Sequence, residues 1–123
     1  MKDIDASIDW YRRVLGLEET FRQESDTRRA VVMRFPGLRG TLGLVQHTDA
    51  GIGFSPRNVG LDHLAFAVES AEELWAWPDR LEQLGVSHAP AVETPFGGML
   101  HFQDPDGIAL ALFWERGLTG APG

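Results

Sequence analysis

The feature that most constrains this chain is that its order of elements is written twice. One helix-forming stretch ends in VLGL, around Gly16, and a second ends in QLGV, around Gly85, about 69 residues further on. In the first copy, DIDASIDWYRRVLGL carries Asp5 as a helix N-cap, then Ile8, Tyr11, Val14 and Leu15 at helical spacing, with Gly16 where a helix stops. LEETFRQE, RRAVVMRF and TLGLVQH follow as strands, separated by SDT and PGLRG, which have turn chemistry. The second copy opens with LDHLAFAV as a strand and continues with the helix SAEELWAWPDRLEQLGV. It closes with the strands APAVE, GGMLHF and IALALFWE, the last after a DPDG turn. Ser70 with Glu73 forms a capping box, and Pro78 is expected to break or kink the helix after its first turn or two.

The duplication divides the chain into a first module at 1–50, a Gly-, Ser- and Pro-rich linker at 51–60, a second module at 61–116 and a flexible tail at 117–123. The two copies differ at their starts. The second begins with a strand before its helix, the first almost directly with its helix, so a first strand is expected to be missing or truncated, leaving an unpaired edge.

Charge and composition narrow the partners. A net charge of −7, with Lys and Arg scattered, leaves no basic stripe for a nucleic acid backbone. The chain has no cysteine, so no disulfide frame, thiolate nucleophile or zinc knuckle is available. No stretch resembles a signal core or a membrane span, and a cytoplasmic location is the default expectation.

Strand alternation sorts side chains into two faces. Leu64, Phe66 and Val68 share one face of their strand, and Ile108, Leu110 and Leu112 share one face of the last strand. These bulky residues are expected under the helices. The opposite face is sparse, with His63, Ala65 and Ala67 on one strand, Ala109, Ala111 and Phe113 on another, and Met99 and His101 between. In the first copy, Met33, Phe35, Leu42 and Leu44 under the helix turn Val32, Arg34, Gly43, Val45 and His47 the other way. A sheet face of small residues with a few convergent polar tips is what a small-molecule site looks like; the same residues would also let a second sheet or a partner pack closely. The candidate ligand-binding residues are His63, His101, Arg34, His47, Met99, Phe96, Phe113 and Ala111. Arg34 suits a substrate carboxylate or phosphate, or else a surface ion pair. Phe96, in a Gly-flanked loop, suits stacking on an aromatic ligand, or else plugging the core. His88 is expected to face solvent, at least one of Trp75 and Trp77 to lie in the core, and the DPDG turn to be structural. No residue is assigned a catalytic role.

DASIDWYRRVLGL, GLDHLAFAV and HFQDPDGIALALFWE, in that order, make the chain resemble the vicinal oxygen chelate superfamily of glyoxalases, bleomycin- and fosfomycin-resistance proteins and extradiol dioxygenases. The resemblance implies an α+β fold of paired βαβββ modules curling into an eight-stranded cup, and assembly as a homodimer. It also implies a divalent metal ion with one ligand from each of four strands. Carried over position by position, the first ligand would precede Met1, the fourth-strand ligand falls at or near Gly43, the fifth-strand ligand matches His63, and an acid is implied where Ala111 stands. Of that set only His63 is present. The expectation is therefore a protein that binds a small apolar or aromatic molecule in its cup with no cofactor. One rival is a metal-dependent lyase, isomerase or extradiol-type dioxygenase using a divalent metal ion on His63 with non-standard ligands such as His101 and His47. The other is an interaction module whose sparse face packs on a partner.

Overall fold

The computed structural model describes residues 1–36, 41–48, 55, 57, 61 and 63–116. Their element order is α1 (Ile4–Leu15), β1 (Glu18–Glu24), β2 (Arg28–Arg34), β3 (Thr41–His47), β4 (Leu64–Ala67), α2 (Ala71–Gln83), β5 (Val92–Thr94), β6 (Gly97–Gln103) and β7 (Ala109–Glu115). The chain divides into two units, Met1–Phe54 with Asp104–Asp106, and Ser55–Gln103 with Gly107–Gly123. Most of the expected linker and all of the expected tail lie outside the described residues. Among the described residues no helix is long and apolar enough to cross a membrane.

In the first unit, α1 begins earlier than the N-cap expected at Asp5. Asp3 takes the extended cap conformation and its carboxylate accepts the Ala6 N–H. The reason is burial: Ile4, Ile8 and Tyr11 form one stripe, all under 5% exposed, and only a helix that includes Ile4 can bury it. Asp5 falls instead in the first turn, where negative charge suits the helix dipole. Both of its oxygens lie 3.0 Å from the Arg29 guanidinium of β2, and that hydrogen-bonded partner holds the Asp5 carboxyl below its ordinary range.

The twin glycines of the repeat meet the same demand. Gly16 ends α1 with φ of 71° and Gly85 follows α2 with φ of 74°, a left-handed conformation that side chains resist.

Ser70 caps α2 by accepting the Glu73 N–H, but the Glu73 carboxylate accepts the N–H of Glu69 rather than that of Ser70, so the expected box is displaced by one residue. Pro78 does not break the helix, which runs from Ala71 to Gln83. A proline inside a helix costs roughly 3 kcal/mol. Burying Leu74, Trp77 and Leu81 along the side of α2 that packs on its sheet offsets this, at about 1.5–3 kcal/mol each. Trp77 is the core tryptophan expected of the pair; Trp75 is exposed.

The first unit holds an antiparallel sheet in the order β1-β2-β3, and the second holds β4-β7-β6-β5, with β4 parallel to β7. Among the described residues this makes seven strands, where the resemblance implies eight. In the first sheet the Met1 ammonium donates to the Val45 carbonyl of β3 at 2.8 Å. Of the four residues read as lying under the helix, Met33 and Leu44 are buried and Phe35 and Leu42 half-buried, while Val32 pairs with Gly43 and Arg34 with Thr41 on the other face. A register shift between Glu19 and Phe21 brings Phe21 onto the face of Val32, leaving its ring 60% exposed.

The turn after β6 is structural. Asp104 is buried and accepts from the Tyr11 hydroxyl at 2.8 Å and from the Asp106 N–H at 2.9 Å, while Asp106 accepts the Lys2 N–H at 3.0 Å. The two carboxylates thus fasten this turn to α1 and the chain start.

Candidate functional site

The second sheet places most of the predicted residues on one face. β7 is an interior strand, with β4 on one side and β6 on the other, so its alternate residues form a floor. Three rows run across it. Ala67, Phe113, Met99 and Val92 are successive cross-strand partners; Ala65, Ala111 and His101 make the next row; Ala109 and Gln103 make the third. His63 precedes β4, and its ring lies 6.2 Å from that of His101, centroid to centroid, with 71° between the planes. His63, His101, Met99, Phe113 and Ala111 therefore share one face, as alternation predicts, and Leu100 and Leu110 are wholly buried on the other.

The open volume is not centred where that face alone suggests. Ala111 has no exposed surface, so the face is closed at that point. A cavity of about 330 Å³ opens one row along instead, where Ser87, Ala89, His101, Gln103 and Ala109 meet His88 and Phe102. Of the predicted ligand-binding residues, it is His101 that lines this cavity. Gln103 was legible in principle, two residues beyond His101 on β6 and hence on its face. Ser87 and Ala89 were not. They arrive through an isolated antiparallel bridge between His88 and Phe102, with the Ala89 N–H donating to the His101 carbonyl at 2.9 Å. That bridge follows a loop with no periodic pattern.

The same bridge corrects the expectation for His88. As the partner of buried Phe102, it turns inward, and its side chain is 11% exposed. Its Nε2 lies 3.2 Å from a Glu82 carboxylate oxygen and its Nδ1 2.7 Å from the Ala89 carbonyl.

The remaining candidates are placed elsewhere. Phe96 sits in the turn between β5 and β6, 71% exposed, so it does not plug the core. Arg34 and His47 belong to the first unit. The Arg34 guanidinium is engaged by Glu18 across the strand pair at 3.2 Å, the surface ion pair weighed for it. His47 ends β3 opposite Arg28 and is exposed.

These residues do not supply the donor set that the resemblance implies for a divalent ion. Ala111 brings a methyl group where a carboxylate is needed, and Gly43 offers no donor on β3. Among the described residues no group of three or more His, Cys, Asp or Glu side chains is placed to hold a metal ion. Glu115 has the parity of Ala111, but it lies at the far end of β7, opposite Gly97. Two imidazoles 6.2 Å apart fall short of the three or four protein ligands such sites use.

No curated protein matches the chain. Solved structures do. A crystal structure of a glyoxylase/bleomycin resistance protein/dioxygenase domain from Frankia sp. EAN1pec is 36% identical, with a TM-score of 0.86 over 94% of this chain and 91% of that one. Two more distant structures show the same fold. An antibiotic binding protein from Streptomyces sp. CB03234 is 21% identical, with a TM-score of 0.71 over 93% of this chain and 88% of that one. A variant of the genomically encoded fosfomycin resistance protein from Listeria monocytogenes, complexed with Mn(II) and 1S,2S-dihydroxypropylphosphonic acid, is 21% identical, with a TM-score of 0.69 over 92% and 82% of the two chains. The family profile matches residues 1–112, and with the paired helix-and-sheet modules above, the chain belongs to the Glyoxalase/Bleomycin resistance protein/Dioxygenase superfamily.

Proposed function

We propose that this chain binds a small apolar or aromatic molecule in the second unit, at the cavity beside His101, and that it does so without a metal ion. The carrying observation is the middle row of the sheet, in which Ala111 stands between Ala65 and His101. A fold shared by an antibiotic binding protein and a manganese-loaded resistance protein does not choose between the two roles, and the side chains at the site support the first. Here they offer methyl groups, two imidazoles and neutral polar tips. A volume of about 330 Å³ lies within the range of small-molecule pockets. Cytoplasmic location and homodimeric assembly go with this reading.

Titration of the purified protein with naphthalene, followed by calorimetry, tests it. Saturable binding is expected, weakened about tenfold or more by Ala109→Leu, which adds volume at the cavity wall. An absence of saturable binding by the unmodified protein overturns the reading. The rival lyase or dioxygenase role rests on the His63–His101 pair. It predicts stoichiometric metal in the purified protein that is lost in His63→Ala.

A further inference from the structure

The cavity's polar groups point to a narrower ligand class, an inference that rests on the binding role proposed above. His101 and Gln103 project into the cavity from β6, beside the methyl group of Ala109, the cross-strand partner of Gln103 on β7. The His88 imidazole, also at its wall, is held by Glu82 and the Ala89 carbonyl. Ser87 adds a hydroxyl and Ala89 a further methyl. Hydroxyl and amide side chains, and an imidazole in its neutral form, each donate and accept hydrogen bonds. They complement a group that does both, such as a hydroxyl.

Full charges are poorly served at the same place. No Lys, Arg, Asp or Glu is among the residues lining the cavity. Of the second unit's described arginines, Arg80 lies over the Trp77 ring at 4.5 Å and Arg116 over the Trp114 ring at 5.2 Å, and neither these nor Arg57 line the cavity. A carboxylate or phosphate would give up water there without gaining a cationic partner, and the net charge of −7 adds a repulsive field. We propose that the cavity selects uncharged, planar aromatic molecules bearing a hydroxyl group on one edge, the ring lying against the Ala109 and Ala89 methyl groups and the hydroxyl meeting His101 and Gln103.

Three probes of one skeleton test this at pH 8: naphthalene, 2-naphthol and 2-naphthoate, titrated calorimetrically into the full chain. The expected order places 2-naphthol about tenfold tighter than naphthalene, with 2-naphthoate the weakest. His101→Phe and Gln103→Leu are each expected to shrink the ratio of 2-naphthol to naphthalene affinity at least threefold, whatever each does to naphthalene alone. Both positions are exposed, so neither variant removes a core residue. If naphthalene binds but 2-naphthol is no tighter, if 2-naphthoate binds best, or if neither variant changes the preference, the selectivity is overturned and the binding role stands. If none of the three probes binds, the binding role itself fails.

Discussion

His101 and Ala111 are direct cross-strand partners in the β6–β7 ladder, and the alanine of that pair has no solvent-exposed surface. An imidazole thus lies beside a closed, apolar spot at the position where the superfamily resemblance implies an acid. This juxtaposition removes the donor that would anchor an ion and leaves His101 available to a ligand in the neighbouring cavity.

Installing the acid probes that juxtaposition. Ala111→Glu places a carboxylate at a buried position without a cationic partner, and the variant is expected to lose about 3 kcal/mol or more of stability. Zinc is expected to restore part of the loss, because His63 and His101 share that face and an ion bound by the folded state alone stabilises it. Thermal unfolding with and without zinc measures both effects. The unmodified protein should show no rise in Tm with the ion.

Tyr11 sets a prediction in pH. Burial first, then the adjacent Asp104 carboxylate, pushes its hydroxyl above the ordinary value of 10.0. The folded chain therefore holds this proton more tightly than the unfolded chain. Its contribution to stability is complete below about pH 10 and is lost progressively as pH rises beyond that. Tyr11→Phe should remove this alkaline slope. Near neutrality the same variant should cost about 1.5–3 kcal/mol, since it deletes a buried hydrogen bond to a carboxylate. Urea unfolding at a series of pH values reads both.

Two adjacent glycines on β6 should behave differently. A Cβ at Gly97 would sit 1.9 Å from the Trp114 carbonyl oxygen, which is backbone held in the β6–β7 ladder. At Gly98 the nearest atom, at 2.8 Å, is the end of the Leu74 side chain, which can rotate aside. Gly97→Ala is expected to cost about 3 kcal/mol, at the upper end of overpacking losses, and Gly98→Ala about 1 kcal/mol. Denaturant midpoints at constant m-value distinguish them.

Much of this architecture is legible in the residues, for identifiable reasons. Alternation is a backbone property, so the strand TLGLVQH is found at 41–47 as read, and the faces of β6 and β7 follow once one residue of each is placed. Gly16 and Gly85 mark helix ends because few other residues tolerate their φ. The departures occur where tertiary burial overrides a local preference. Ile4 draws the start of α1 past Asp5, and the buried Leu74, Trp77 and Leu81 carry α2 through Pro78. The site was only half legible. Parity brings His63, His101 and Ala111 to one face, but the cavity depends on a bridge between His88 and Phe102, a long-range pairing that no periodicity announces.

The most direct measurement of the central claim is the affinity of the chelator-treated protein for naphthalene, compared with that of the same protein after zinc or manganese is added back. Saturable binding with equal dissociation constants is expected in both states. Binding that appears only once the ion is present would contradict that claim.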